Sequence, residues 1–450
     1  VTWWRCAILS LALLTGCAGY ASYAPVIDSA MTGGDYEAAL QAVEKIDKGK
    51  SELLYCYERG TVLRAQGKYA ESNLAFERAD ALIEELYTRS VTREVAAIAV
   101  SETIAKYRGD SFEAVLANYY RLLNYLDMRD VAGALVECRR LNHKLQILRD
   151  AGETFVDDPF LQYLTALVYE MGNEPGSAEV SYRTALGGYA KGINGAGAPP
   201  PWLACDAAAN LRRQGDGAGA LAYDSLGACP APESGTGRVF VLIETGRVLR
   251  KLQNDIVLPI LETDRWDNNE RYAHELAKRR GQNYESVKVK YWLRVSLPSL
   301  EPRPPQVLHA VVRATPRGDE RGAQLDVPGV PVEDFDRYAA AAFKEKEGTV
   351  LVRAIVRGIG KYTATQQASE KDEGLGAVVN ILGAITETAD TRSWTTLPSS
   401  VMMARVNLPP GIWRLDAEVM DANGLCIYRL AFGEVDVRAG GTDILTARAL

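Results

Sequence analysis

Two stretches of the N-terminal half can be laid over each other at a shift of 33 residues: Gly34-Asp35-Tyr36-x-x-Ala39-x-x-x-Val43-x-x-Ile46 and Gly67-Lys68-Tyr69-x-x-Ser72-x-x-x-Phe76-x-x-Ala79. The spacing has a mechanism. A glycine or asparagine ends one helix, and the aromatic packs the turn. The small residue lets two antiparallel helices approach, and the larger one fills the groove beside the next pair. Gly60, seven residues before Gly67, is a second small residue at the crossing. Weaker copies follow at Arg129-x-Val131-x-x-Ala134-x-x-x-Cys138-x-x-Leu141 and Asn173-x-Pro175-x-x-Ala178-x-x-x-Tyr182-x-x-Ala185. Residues 202–223 read as a last helix pair, with Gly215 at the turn and Ala220 at the small position. Residues 77–100 form a long helical stretch out of register, so the stack is irregular.

The pattern resembles the tetratricopeptide repeat, a helix–turn–helix unit of about 34 residues that needs at least three stacked copies to bury a continuous core. It predicts an irregular α-solenoid over residues 18–228. Tyrosines are frequent there, Tyr119 and Tyr163 among them. They read either as the lining of a concave peptide groove or as packing between helices with each hydroxyl at the surface. Packing is preferred, because helical spacing does not say which face is concave.

Residues 187–201 and 227–237 are rich in glycine and proline and mark a boundary. Beyond them the period changes to that of strands, predicting a β-rich domain over 236–450 and an α+β chain overall. Residues 238–243, a second run from Val248 onward whose extended character continues through 255–260, 287–295, 307–314, 322–332, 401–408, 412–420 and 425–431 read as strands, with a turn at 244–247. Residues 263–283 are charged and read as a loop or short helix. Residues 334–346 read as a helix, and 349–361 as a helix or a strand, its β-branched content leaving both open. The run 374–386 (GLGAVVNILGAIT) is either a glycine-faced helix for membrane contact or self-association, or a helix buried on the sheet; burial is preferred.

Composition narrows the function classes. The 450 residues carry 51 Lys+Arg against 58 Asp+Glu, a net charge of −7, which argues against a nucleic-acid partner. The three histidines, His143, His274 and His309, lie far apart, so a histidine-rich metal site is not expected. Gly49-Lys50-Ser51 lacks the earlier glycine of a phosphate loop, position 44 being Glu, and His274-Glu275 lacks a second histidine at 278. Gly358-Ile359-Gly360 has Thr363 where a third glycine would stand.

The first seventeen residues read as an address. Arg5 precedes an apolar run from Cys6 to Leu14, too short to span a bilayer and suited to a secretory leader. Leu14-Thr15-Gly16-Cys17 resembles the lipobox of bacterial lipoproteins, so Cys17 is the expected lipidation site, with no cofactor beyond that covalent lipid. Ala18, rather than Asp, resembles cargo sent to the outer membrane. Such an anchor is effectively permanent, each buried CH₂ contributing about 0.8 kcal/mol. Five other cysteines remain, and an oxidising compartment permits a bridge. Cys205 with Cys229 suits one best, although small buried thiols are the preferred reading for most of them.

Lipobox, repeats and the segment Ala389-Asp390-Thr391-Arg392-Ser393-Trp394-Thr395-Thr396-Leu397-Pro398 together resemble an uncharacterised family of bacterial outer-membrane lipoproteins with tetratricopeptide-like repeats. The resemblance implies location and fold and brings no activity with it. Arg392 and Trp394 form either a recognition patch for a partner, or an internal Asp390–Arg392 ion pair with Trp394 in the core; the second is preferred. The expectation is a non-catalytic, lipid-anchored scaffold facing the periplasm that binds an envelope protein or peptide, with self-association open. An envelope enzyme or carbohydrate-binding protein, with its site in the β-rich half, is the alternative.

Overall fold

The computed structural model describes residues 20–90, 106–153, 158–193, 196–227, 229, 235–261, 289–303, 307, 309–318, 324–369 and 388–450. Cys17, the leader, residues 263–283 and the 374–386 run lie outside the described residues.

Among the described residues, the helical half is a row of five hairpins. They are α1 (Tyr20–Thr32) with α2 (Tyr36–Val43), α3 (Lys48–Ala65) with α4 (Tyr69–Ser90), α5 (Ser111–Asp127) with α6 (Val131–Asp150), α7 (Pro159–Met171) with α8 (Pro175–Lys191), and α9 (Leu203–Arg213) with α10 (Gly217–Asp224). Each turns through a residue with positive φ: Gly34, Gly67, Arg129, Asn173 and Gly215. Three turns pass straight into an aspartate cap, where Asp35, Asp130 and Asp216 accept the N–H of Ala38, Gly133 and Gly219. The small and large positions of the repeat are interior throughout: Ala39 and Val43, Ser72 and Phe76, Ala134 and Cys138, Ala178 and Tyr182. Gly60 is required sterically, since a Cβ there would lie 2.5 Å from Phe76 Cζ, and Ser72 Oγ donates to its carbonyl at 2.7 Å.

The strands among the described residues form three groups. One sheet has the order β10-β1-β7-β6, from β1 (Gly237–Thr245), β6 (Val330–Asp334), β7 (Ser400–Leu408) and β10 (Thr442–Ala449). Here β1 pairs parallel with β10 and antiparallel with β7. A second sheet has the order β5-β4-β8-β9, from β4 (His309–Pro316), β5 (Leu325–Pro328), β8 (Gly411–Met420) and β9 (Cys426–Val437). Among the described residues, the long strands β2 (Arg250–Leu261) and β3 (Val289–Glu301) pair with each other and with no further strand. Helix α11 (Phe335–Ser369) follows β6 directly.

The first sheet is buried on both sides. Phe240, Leu242, Val401, Met403 and Ile444 join the core of the helical stack. Their neighbours Val239, Val241, Ile243, Ala404 and Val406 join β4, β8 and β9 in a second core. The period of two thus sorts one strand between two cores. Helices, first sheet and second sheet make three layers, and one apolar core crosses the 228–236 boundary.

The undecided run 349–361 is helical, continuing α11. A strand there would need a neighbour to pair with, whereas the helix already begun at Phe335 satisfies its own backbone. Strand β10 is an addition to the sequence reading. The Cys205–Cys229 bridge forms, with Cα atoms 5.3 Å apart, and fixes the segment after α10 to α9.

Candidate functional site on the inner face of the helical stack

Tyr57, Tyr119 and Tyr163 each stand ten residues before the positive-φ residue of their hairpin (Gly67, Arg129, Asn173), and all three are fully buried. They mark one row along the inner helices α3, α5 and α7. The row is not an open groove: the C-terminal half of the same chain fills it.

Over the second and third hairpins the occupant is the extended segment 388–399. Trp394 is completely buried, stacked on Tyr57 at 4.4 Å between ring centres and flanked by Phe76 and Tyr120. Its indole N–H donates to Thr61 Oγ1 at 2.9 Å. Two buried carboxylates hold the segment's backbone donors. Glu113 accepts the N–H of Trp394 at 2.8 Å, that of Asp110 at 2.9 Å and the hydroxyl of Tyr107 at 2.5 Å. Glu58 accepts the N–H of Thr395 at 2.9 Å and the hydroxyls of Thr396 and Tyr20, each at 2.5 Å.

Guanidiniums take the carbonyls. Arg303 donates to Thr395 O at 2.8 Å and Val248 O at 2.7 Å while pairing with both oxygens of Asp28 at 2.9 Å. Arg448 donates to Thr396 O. Further along, Val248 N donates to Leu397 O at 2.9 Å, and Ser399 N to Thr245 O at 3.0 Å. Around Trp394 the backbone donors are therefore met by carboxylates and the carbonyls by guanidiniums, and further along by backbone of the β1 end, as a buried peptide without its own ladder requires.

Over the fourth and fifth hairpins the occupant is the first sheet. Asp206 of α9 is fully buried and accepts from Tyr163 Oη at 2.7 Å and Arg238 at 2.9 Å, with Arg405 at 3.2 Å. Arg238 also pairs with Glu170 of α7. Burial opposes the Arg238 charge, but Asp206 and Glu170 prevail and hold its pKa above the usual arginine value. Midway, Tyr119 Oη donates to Glu244 of β1 at 3.1 Å.

Burial and the nearby Asp110 carboxylate raise Glu113 to about 7, against the pull of Lys251, the Tyr107 hydroxyl and the Trp394 amide. Burial likewise raises Glu58. Asp110 goes the other way: burial would raise it, but Lys251 and Lys346, at 2.6 and 3.5 Å, hold it below its usual value. A cleft lined by Asp110, Glu113, Leu249, Lys251, Phe343 and Trp394 marks where helices, segment and β2 meet.

The sequence-derived binding residues are thus interior. Trp394, Tyr119 and Tyr163 expose nothing and Arg392 exposes 8%, so none of the four presents a docking surface. The correction is physical. These side chains already have partners from the other half of the chain, and the tyrosine hydroxyls reach buried carboxylates instead of the surface. The preferred reading of Arg392 fits: it pairs with Asp390 at 2.7 Å, donates to Lys50 O at 3.2 Å, and lies over the Tyr107 ring. It pins the segment to the start of α3, not to a sheet edge. Glu58, Glu113, Asp206 and Arg303 were not singled out from sequence. A signal existed for Glu58, an acid on the same helical row as Leu54 and Val62, both interior.

Among the described residues no group of three or more potential ligands gathers for a metal, and no helix is long and apolar enough to cross a membrane. No family model matches the chain, and no curated protein matches it. Among solved structures, the crystal structure of MamA protein shows a slight likeness, with a TM-score of 0.30 and 14% identity over 46% of this chain and 87% of that one.

Proposed function

We propose that the protein is a non-catalytic adaptor of a bacterial cell envelope, held by a lipid on Cys17 at the periplasmic side of the outer membrane and binding a protein or peptide partner. Because the inner face is filled by the chain itself, binding falls to the outer helices. One observation supports this most. Leu74, Val136 and Val180 are exposed, and each stands seven residues after the positive-φ turn of its hairpin, on α4, α6 and α8 in succession. A stack of repeats displays one such position per unit along a continuous surface. The buried carboxylates, by contrast, are occupied with backbone amides, hydroxyls and guanidiniums, the chemistry of holding a peptide in place.

Two experiments test the reading. A photo-reactive residue at position 136 or 180, illuminated in the native envelope, is expected to give the same discrete adduct from both sites. Adducts that differ, or none, would overturn the adaptor role. Labelling with an alkyne palmitate analogue is expected to mark the wild type and leave Cys17→Ser unlabelled.

A further inference from the structure

Helix α11 changes character along its length. Its first half is tied to the rest of the fold: Phe335, Tyr338, Ala339 and Ala342 are buried, and Lys346 reaches Asp110 and Ser111. Beyond Thr349, Ala354 is buried while Leu351, Val352, Ile355 and Val356 are exposed, Val352 by 61%. These four form two adjacent i, i+4 rows, hence one apolar stripe open to solvent. A Cβ placed on Gly348 or Gly360 would meet nothing within 4 Å, so among the described residues there is open space beside the helix at each of these two positions.

Charge says what the stripe faces. Residues 349–369 contain Arg353, Arg357 and Lys361 and no acidic residue, within a chain whose net charge is −7. Pairing this stretch with the same stretch of a second copy would bring basic residues together with no carboxylate from the stretch to receive them. An anionic phospholipid surface accepts both features, the apolar stripe at the acyl boundary and the cations among the headgroups. The helix is not apolar enough to cross a bilayer, so it would lie along the surface.

We propose that residues 349–369 of α11 are a second membrane contact, selective for anionic phospholipid and independent of any lipid on Cys17. The test is flotation of residues 18–450, which contain every described element, with vesicles of phosphatidylcholine alone or mixed with phosphatidylglycerol. The protein is expected to float with the mixed vesicles and not with phosphatidylcholine. V352D/V356D should reduce binding at least tenfold with an unchanged melting temperature. R353A/R357A/K361A should lower it roughly fivefold per residue at low salt. Failure to float with mixed vesicles, or equal flotation of V352D/V356D, would overturn the proposal. So would a solution dimer that V352D/V356D dissociates, since the stripe would then belong to a second copy. The protein used lacks Cys17, so neither result depends on whether the native chain is lipidated.

Discussion

At its second and third hairpins the helical stack holds an extended segment, and at its fourth and fifth it holds a sheet. The two ends use the same acidic inner face differently. Glu58 and Glu113 are satisfied by amides and hydroxyls, and an aromatic slot around Trp394 carries the apolar contact. Asp206 and Glu170 are satisfied by Arg238 and Arg405, guanidiniums that the sheet brings ready-made. A segment without regular structure has free N–H groups to donate. A strand has already used its own in the ladder and must offer side chains instead. What occupies the face thus decides how its carboxylates are compensated.

Trp394→Ala should break the first end hardest. A fully buried tryptophan truncated to alanine costs about 4–5 kcal/mol through lost burial and the cavity left between Tyr57, Phe76 and Tyr120. Chemical denaturation would read this as a lower midpoint, and near-ultraviolet dichroism as loss of the stacked ring signal. A cost below about 1 kcal/mol would mean that the segment is not part of the folded core. At the other end, Asp206→Ala leaves the partly buried Arg238 and Arg405 with less to face, at a cost of about 3 kcal/mol. Because the ion pairs there knit α9 to the sheet, amide exchange should accelerate in β1 and α9 before it does around Trp394.

Next in size is the Cys205–Cys229 bridge. Closing a loop across 24 positions constrains the unfolded chain by about 3 kcal/mol. Cys205→Ser/Cys229→Ser should therefore lower stability by about that amount, while leaving the slot at Trp394 unchanged by the same dichroism signal. A shift in that signal would show that the two ends are coupled.

The hairpins were legible because their information is local. A positive-φ glycine, an aromatic and two small residues fall within a dozen positions, and a helix closes its bonds within itself. Arg129 shows the limit, since its turn is visible only from the repeat spacing around it. The occupancy of the inner face was not legible. Trp394 bonds to Glu113 across 281 positions and Thr395 to Glu58 across 337, and β1 pairs with β10 near opposite ends of the β half. Such pairings depend on which side chains meet, not on any local period. The sequence could therefore mark Arg392, Trp394, Tyr119 and Tyr163 as notable, yet not say that the first two meet α3 and α5 while the other two meet the sheet.

The finest test of the contrast lies in pH. Glu113 is raised to about 7 by burial and by Asp110, whereas an unperturbed glutamate titrates at 4.5. Between those values the folded protein holds a proton that the unfolded chain has released. The stabilisation from this group is therefore complete below about pH 4.5 and is lost as the pH climbs through about 7. Asp336, raised to about 6 by burial, adds to the same downward slope. Glu113→Gln removes the titration at the cost of one acceptor: its single oxygen can still receive the Trp394 amide, but its NH₂ group faces Asp110 N–H and cannot accept from it. Melting temperatures from about pH 5 to about pH 8 should show the wild type declining more steeply than the variant, with the variant lower at the acid end and the gap narrowing towards neutrality. Parallel profiles would mean that the proton shared around the Trp394 segment sits elsewhere, and that this end of the inner face is compensated by fixed charge just as the Asp206 end is.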